Sequence, residues 1–542
     1  MSSGAKHLEY RPLRAPREDR AVLVEPPLDQ AARLVAANLE LRARYAYDFH
    51  GRGLPELARQ ARRELLAAAL RWTKAYRDVD PGPWDPETAI FLAGHQPQLF
   101  HPGVWFKNFA LGALARQQRA VAVNLIVDSD TIKTSTLRVP GGTVARPQAA
   151  LIPFDQSGPV VPFEERRILD RRTFREFGAH AAGQIAPLVP DPMVREYWPL
   201  AIGRMEEVDN LGACLAQSRH QWEGRWGVST LEVPQSWVCQ LPAFAHFTVH
   251  LLAELPRLRA VHNDAVGEYR RLHRIRSTAH PVPDLATESA WVEAPYWIWT
   301  EQDPRRRRLF VRRTPRELVL SDLLGVNVAL PLVADGDAQG AVERLMELPR
   351  QGIRVRSRAL ITTLWARLVL GDLFLHGIGG AKYDQVTDAV IDRFFGLVPP
   401  GYLVLSATLL LPIPRQRSGA EEARAIERRL RDLDWHPETA IDGAQCPARC
   451  PELPELLAAK SRWIRTLPTP VSARIRWLEI RRLNAALQPW VADQRRRWLA
   501  ERDALAAARQ AEAILGWREH GFCLYPGRVV AGFFEGLLPK TA

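Results

Sequence analysis

Two apolar segments separated by an amphipathic one constrain the fold of this chain more than any other feature. Residues 89–94 and 120–130 are mostly apolar and have the length of buried strands, whereas residues 104–118 have the length and spacing of a helix. Two buried strands joined by a helix form a β-α-β unit, which requires a parallel sheet and a right-handed crossover. The sequence therefore predicts an α/β fold built on a parallel sheet.

The loop between the first strand and the helix, GHQPQLFHPG at 94–103, concentrates polar and turn-forming residues at a strand end. Ligands of open α/β sheets bind at the carboxyl ends of the strands, and the amino end of the next helix favours anions. Histidine can donate to an anion or transfer protons near neutral pH. We therefore expect an anion-binding loop, although a tight strand-to-helix connection with half-buried histidines is the alternative. The expected site residues here are Gly94, His95, Gln96, His101, Gly103, Lys107 and Asn108.

Two further segments carry candidate binding groups. DSD at 128–130 follows the second strand, where carboxylates can hold magnesium, a ribose or an amine, or cap the next turn. HGIGGAKYD at 376–384 sets three glycines before a helix, which suits an anion but also a plain helix cap. An arginine at 356 would add a fixed positive charge. The candidates in these segments are Asp128, Asp130, Arg356, His376, Gly377, Gly379, Gly380, Lys382 and Asp384.

Periodicity and breaker residues divide the chain into four predicted parts. They are an N-terminal helical segment (1–85), an α/β core with insertions (86–415), a helical hairpin or coiled-coil arm (416–520) and an extended tail that returns to the core (521–542). The predicted fold class is α/β, with a Rossmann-like parallel-sheet core, N-terminal helices and a C-terminal helical arm. Because exposed apolar stripes on a long arm need a partner, a homodimer through the arm is expected.

Two local patterns give sharper predictions within the core. Residues 356–375 are apolar nearly all round, which predicts a single buried helix. Residues 304–313, PRRRRLFVRR, predict a hairpin with a solvated edge strand, whose charges would block the addition of another strand.

Composition excludes several classes of protein. With 46% hydrophobic and 25% charged residues the chain is globular, and it has no apolar run of membrane-spanning length and no signal-peptide pattern. A cytoplasmic protein without a membrane partner is therefore expected. The five cysteines are scattered, and Cys446 and Cys450 lack the second ligand pair of a zinc site, so these two are predicted to be loop thiols rather than metal ligands. The net charge of +12 is spread along the chain, which favours a small anionic substrate over nucleic acid.

The order of these elements resembles the bacillithiol biosynthesis cysteine-adding enzymes over most of the chain. That family has a loop similar to G-Q-Q-P-G-L-F-T-G-P, with glutamine where this chain has His95, and a later glycine pair similar to Gly379 and Gly380. Its acidic run, similar to S-E-D-H-D, lines up here only at Asp130. The loop also resembles the H-Q-P-N-Y-L-P loop of a family linked to glycan biosynthesis. The residues that match the first family's loop are Gly94, Gln96, Pro97, Leu99 and Phe100.

The resemblance implies a ligase or transferase that joins an amino acid such as cysteine to a small polar amino-sugar acceptor. Amide formation needs an activated carboxyl group, usually made by phosphate transfer, so ATP or ADP with magnesium is the candidate cofactor, and the cofactor stays open. The expected catalytic residues are His95, Gln96, His101 and Asp130. Two alternatives are a non-catalytic protein that grips nucleic acid or a partner with its basic surface and arm, and a degenerate enzyme that only binds its ligand.

Overall fold

A computed structural model describes residues 8–82, 85, 87–332, 338–414, 420–441 and 452–538. The loop with Cys446 and Cys450 lies outside these described residues. The chain forms two compact units. The larger unit contains Met1–Val139, Ala150–Pro412 and Arg518–Ala542, and the smaller unit contains Pro140–Ala149 and Ile413–Trp517.

The strands and helices are numbered in chain order. The strands are β1 (Val22–Glu25), β2 (Ile90–His95), β3 (Val121–Ile126), β4 (Thr136–Gly142), β5 (Pro147–Pro153), β6 (Leu231–Pro234), β7 (Thr287–Glu288), β8 (Trp291–Thr300), β9 (Arg307–Arg313), β10 (Glu317–Ser321), β11 (Asn327–Pro331), β12 (Ile353–Ser357), β13 (Leu373–His376) and β14 (Leu403–Ala407). The helices are α1 (Ala31–Ala43), α2 (Leu54–Lys74), α3 (Pro102–Gln117), α4 (Arg171–Ile185), α5 (Val194–Glu207), α6 (Leu211–Arg225), α7 (Gln235–Val238), α8 (Pro242–Ala253), α9 (Leu255–Leu272), α10 (Gln339–Glu347), α11 (Ala359–Trp365), α12 (Ile378–Phe395), α13 (Ala420–Trp435), α14 (Glu452–Arg465), α15 (Ala473–Leu487), α16 (Ala492–Leu515) and α17 (Gly527–Glu535).

The central sheet of the larger unit has six strands in the order β1-β14-β13-β2-β3-β6. Five of them are parallel, and β1 pairs antiparallel with β14 at one edge. The predicted β-α-β unit is confirmed, because β2 and β3 are parallel neighbours joined by α3. The chain is thus a mixed α/β protein with a parallel sheet.

The connection order creates a switch point between β2 and β13. From β2 the chain proceeds through α3 to β3 and later to β6, whereas from β13 it proceeds through α12 to β14 on the opposite side. Loops that leave two adjacent parallel strands in opposite directions open a crevice at the strands' carboxyl ends. The segments that follow His95 and His376 therefore border this crevice.

Helices cover both faces of the central sheet. Ile90 and Leu92 of β2 and Val123 of β3 share one buried cluster with apolar side chains of α2, α8, α9, α11 and α12. Helix α3 packs against β2, β3, β13 and β14, and its Trp105 and Phe109 stack with aromatic rings from α17 and the end of α6. This layered packing leaves the carboxyl ends of the strands uncovered by helices.

The predicted edge strand at 304–313 is wrong. Strand β9 lies inside an antiparallel sheet of order β11-β10-β9-β8-β12, paired on both sides. The arginines at the start of the segment contact acids: Arg306, just before β9, contacts Asp130 at 3.1 Å, Arg307 contacts Asp303 at 2.7 Å and Arg308, which stays exposed, contacts Glu293 at 3.4 Å. Long side chains satisfied by acids allow a basic segment to occupy an inner strand, which charge counting along the sequence does not reveal.

Two other local predictions are corrected. The single helix predicted for 356–375 is α11, a π-helical turn over Ala366–Leu370 and then strand β13. A fully buried strand and a buried helix are both apolar all round, so periodicity cannot separate them. The tail predicted as extended contains α17, whose buried Val530, Phe533 and Phe534 follow helical spacing. It packs in the larger unit, as expected for a tail that returns to the core.

The N-terminal segment and the C-terminal segment predicted as an arm are both rich in helix, whereas a coiled-coil arrangement of that arm stays a prediction. Helices α1 and α2 lie in the N-terminal segment, and α13 to α16 make up most of the smaller unit. The α14–α15 hairpin of the smaller unit exposes apolar side chains at Leu467, Val471 and Ile475. Within the described ranges no helix is long and apolar enough to span a membrane.

Candidate functional site

A cavity of about 850 Å³ opens at the carboxyl ends of β2, β13 and β14. Its walls come from the segment after β2, the first turns of α3 and α12, the end of β14, an N-terminal stretch and the residues that follow α16, all within the larger unit. The turn after Ala93 and the glycine turn after His376 therefore border one pocket. The predicted residues that line it are Gly94, His95, Gln96, His101, Gly103, Lys107, His376, Gly377, Gly379, Gly380 and Lys382.

The lining of this cavity is strongly cationic. Its lining contains five basic side chains and one carboxylate, that of Glu519. Because burial keeps the lining histidines neutral, the cavity carries four net positive charges. Such a charge excess favours an anionic ligand. The basic residues are Arg14, Arg17, Lys107, Lys382 and Arg518.

Three of these cations carry no local signal in the sequence. Arg14 and Arg17 reach the cavity because the N-terminal stretch is pinned beyond β14, where Thr408 donates to the Pro16 carbonyl at 2.7 Å. Arg518 reaches it because the chain returns to the larger unit there, with its guanidinium 3.3 Å from the Ala407 carbonyl. Only long-range packing brings these arginines to one place.

Lys107 is the buried cation of the site. Its Nζ donates to the Gly94 carbonyl, and the residue is only 4% exposed. Burial, with a smaller contribution from Arg219, lowers the pKa of Lys107 to about 8. Its charge also lowers the pKa of both His95 and His376, the last residues of the neighbouring strands β2 and β13.

His95 is held as a neutral ring in one tautomer. Its Nδ1 lies 3.0 Å from the Gln96 carbonyl, which can only accept, so Nδ1 carries the proton and Nε2 keeps its lone pair. Burial and the nearby Lys107 lower the pKa of His95 to about 3. At neutral pH the ring is thus an acceptor and not a cation.

His376 is oriented by a buried charge pair behind it. Its Nε2 donates to Asp384 at 2.6 Å, and Arg367 donates to the same carboxylate oxygen at 2.7 Å. Burial would raise the pKa of Asp384, but Arg367 and His376 hold it below its ordinary value. Burial lowers the pKa of His376 despite Asp384. The neutral ring therefore has Nδ1 as its acceptor atom, and Asp384 supports the site from behind without lining it.

His101 has a structural role that its sequence position does not reveal. It is the N-cap of α3, and its Nδ1 accepts from the Gly103 amide at 3.1 Å. Burial and then Arg518 lower the pKa of His101 to about 4. One ring nitrogen is therefore committed to capping the helix, which leaves only Nε2 for a ligand.

Asp130 does not line the cavity. Its carboxylate accepts from Gln96 at 3.0 Å and from the Thr131 amide at 2.8 Å, and it pairs with Arg306 at 3.1 Å. These contacts hold the Gln96 amide in place from outside the cavity. Asp130 is therefore a support for Gln96 and not the predicted binder of an amine or a metal in this cavity.

The structure also removes three other candidates from this cavity. Asn108 donates to Glu223 at 2.8 Å beneath α3. Asp128 and Arg356 line a different cavity, where Arg356 forms a two-pronged pair with Glu164 at 2.9 and 2.8 Å. A strand-end acid and a strand-end arginine match the pattern of a site, but the local twist decides which way each one faces.

The glycines of the two turns serve different purposes. A Cβ on Gly103 would lie 1.9 Å from the Ala407 carbonyl oxygen, so this glycine allows α3 to approach β14, rather than a ligand. A Cβ on Gly377 or Gly379 would meet nothing within 4 Å. Those two glycines therefore leave open space at the amino end of α12, where no side chain caps the helix. The free amide groups there suit an anion.

Gln235 is a lining residue with no sequence signal. Its Nε2 is committed to Ser357 and Thr362, at 3.0 and 2.7 Å from their hydroxyls, while its buried Oε1 has no hydrogen-bond partner. A buried unpaired acceptor is costly unless a guest or water donates to it. Gln235 therefore offers a ligand an acceptor that has no partner of its own.

Among the described residues one group has the spacing of a metal site: His220, Glu223 and Glu232. Most of its polar atoms already have partners, and among its ligand atoms the Oε2 atoms of Glu223 and Glu232 are the exceptions. Arg219 bridges both glutamates at 2.6 and 2.5 Å, and His220 bonds to Tyr76 at 2.7 Å and to Thr230 at 2.9 Å. The group is thus a buried polar network that supports α3, as its bond from Trp105 to Glu223 also indicates.

Comparison with known proteins does not assign this site to a family. No protein-family model matches the chain, and no curated protein matches it. The site must therefore be interpreted from its own chemistry.

Proposed function

We propose that this protein is an enzyme of ligase or transferase type that binds a small phosphate- or carboxylate-bearing metabolite in the cationic cavity. The observation that carries the proposal is the convergence of five basic side chains and the amino end of α12 on one cavity at the switch point of the sheet. Anions bind where helix dipoles and fixed cations converge, and the crevice at a switch point is the usual ligand position in α/β sheets.

Two neutral histidines support proton transfer next to this anion. His95 keeps Nε2 and His376 keeps Nδ1 as acceptors, and Asp384 with Arg367 fixes the orientation of His376. A histidine oriented by a carboxylate is a suitable general base for an attacking amine or thiol. Joining an amino acid such as cysteine to an amino-sugar acceptor, in a Rossmann-like core, is the reaction class that the family resemblance adds to this chemistry.

The candidate cofactor fits in part. Phosphate groups of ATP or ADP suit Lys107, Lys382 and the amino end of α12, because amide groups and ammonium ions are the usual phosphate ligands. A nucleotide would supply the phosphoryl group that activates a carboxylate. A magnesium ion has fewer candidate ligands here, since Glu519 is the one carboxylate that lines the cavity and Asp130 is already bound to Arg306.

A lysine substitution tests the site directly. Replacing Lys107 with methionine should weaken the binding of inorganic pyrophosphate and of citrate at pH 7 by about tenfold or more, because it removes a desolvated cation from an anion site. Isothermal titration calorimetry would measure both affinities. Methionine fills most of the volume of the lysine and removes a buried charge while it loses one hydrogen bond to the Gly94 carbonyl, so the thermal midpoint should change only modestly.

The control for this substitution is Lys133→Met, which changes an exposed lysine that does not line the cavity. Equal losses in the two variants would indicate a general charge effect and would contradict the proposed site. Tight binding without turnover of any amine plus carboxylate pair would instead favour the degenerate enzyme. A Lys107→Met variant that binds pyrophosphate and citrate as the wild type does would sink the proposal.

Anion binding should also depend on pH in an unusual range. Lys107 has a pKa of about 8, and only its protonated form attracts an anion. Burial keeps His95 and His376 neutral, while the arginines stay charged, so Lys107 is the cavity group expected to titrate between pH 7 and 9. Sulfate, which does not titrate there, should therefore bind more weakly as pH rises through about 8. Calorimetry at pH 7, 8 and 9 would measure the sulfate affinity. If this affinity does not change with pH in Lys107→Met, the pH dependence of the wild type belongs to Lys107.

A further inference from the structure

A second cavity, of about 830 Å³, lies beside the first at the carboxyl ends of β3 and β6. At each of these strand ends, two consecutive residues point into different cavities. Val127 and Gln235 line the first cavity, whereas Asp128 and Ser236 line the second. Two neighbouring strand ends thus form a wall with a different cavity on each side.

The charge of the second cavity is opposite to that of the first. Six acids line it against four arginines, which leaves two net negative charges. Five of the acids have an ion-pair partner: Glu164 with Arg356, Glu165 with Arg354, Glu206 with Arg171, Glu207 with Arg204 and Asp209 with Arg167. Within the described part of the chain, Asp128 is the lining acid without one.

Asp128 is held in place although it lacks a cation. It is 7% exposed, its Oδ1 accepts from the Ser236 amide at 2.9 Å and its Oδ2 accepts from the Ser236 hydroxyl. Burial, with the nearby Glu164, raises the pKa of Asp128 to about 7, against the lowering effect of Ser236 and Arg356. A buried carboxylate without a counter-ion is costly, and a cationic guest would remove that cost.

We propose that the second cavity binds the ammonium group of a small organic amine, with Asp128 as its counter-ion. The lining of the same cavity includes the apolar side chains of Trp72, Trp237 and Met205, which can hold the apolar body of such an amine. A metal ion is the less suitable guest, since within the described residues only the His220 group assembles three ligand atoms. This site is independent of the anion site, and either can exist without the other.

Matched probes test the proposal on the full chain. Each amine is compared with an alcohol of the same skeleton, in which hydroxyl replaces ammonium. The pairs are phenethylamine with 2-phenylethanol and cadaverine with 1,5-pentanediol. At pH 8, where Asp128 is ionised, calorimetry should detect at least one amine with a millimolar dissociation constant and much weaker binding of its alcohol. Asp128→Asn should weaken that amine about tenfold or more, while it retains an acceptor for the Ser236 amide.

Two control variants keep the outcomes separate. Glu207→Gln changes a rim acid that is already paired with Arg204, so amine binding should be nearly unchanged. Lys107→Met should weaken pyrophosphate and leave the amine unaffected, which distinguishes the two cavities. The proposal is overturned if neither amine binds, if an amine and its alcohol bind equally, or if Asp128→Asn binds the amine as the wild type does.

Discussion

Replacement of Gly103 with alanine is expected to destabilise the larger unit by about 3 kcal/mol or more, or to prevent its folding. The added Cβ would lie 1.9 Å from the Ala407 carbonyl oxygen and 2.9 Å from its carbonyl carbon. Both are backbone atoms of β14, so no side-chain rotation can relieve the clash. Helix α3 would have to move away from the sheet that it covers.

Thermal and urea unfolding would measure this effect, with Gly203→Ala in α5 as the matched control. A Cβ on Gly203 meets nothing within 4 Å, and alanine favours a helix over glycine by about 0.5–1 kcal/mol, so this variant should be as stable as the wild type or slightly more so. If Gly103→Ala unfolds at the same temperature as Gly203→Ala, the contact between α3 and β14 is not as close as described.

Replacement of Arg367 with methionine is expected to destabilise the protein by about 3–5 kcal/mol, because it removes the buried cation that pairs with both Asp384 and Asp388. Arg367 is 2% exposed and contacts Asp384 at 2.7 Å and Asp388 at 2.6 Å, and its guanidinium lies 4.4 Å from the Tyr402 ring centre. Without it, Asp384 keeps the His376 ring and the Thr363 hydroxyl as partners. The pKa of His376 should then rise, which NMR titration of its ring would detect.

The double variant Arg367→Met with Asp384→Asn separates charge from packing. Removing both charges should recover part of the lost stability, as a double-mutant cycle would show. The direction in which pH changes the stability contributed by Asp384 also follows. Since the pKa of Asp384 is lowered in the folded state, the stabilisation exists above the unfolded value of about 3.9 and is lost as pH falls below it. If the single variant Arg367→Met is as stable as the wild type at pH 7, the assigned ion-pair network is wrong.

Much of the site could be predicted from short segments. The strand at 89–94, the turn that follows it and the lysine one turn into α3 are all signalled within 20 residues, because apolar runs, glycines and helix spacing are local properties. The glycine turn after His376 is predictable on the same grounds, although its strand was predicted as helix. Local pattern thus identified both halves of the cavity.

Roles that depend on neighbours could not be predicted in the same way. Asp130 has the residue type and position of a binding acid, but Arg306, which precedes β9 far along the chain, pairs with it. His101 looks like a proton carrier, but it caps α3. Gly103 looks like part of a ligand loop, but it allows a helix to contact β14. Each of these side chains has two physically reasonable uses, and only its partner distinguishes them.

By itself the sequence determined that this chain is an α/β protein with a parallel sheet, a polar loop at the first strand end and a glycine turn before a later helix. Those features follow from the periodicity and composition of single segments. Tertiary structure alone decided that the two turns share a cavity, that Arg14, Arg17 and Arg518 make it cationic, and that Asp128 faces a second, acidic cavity. Strand order, the twist at a strand end and contacts between distant segments are set by packing energies summed over the whole chain, which no local window contains.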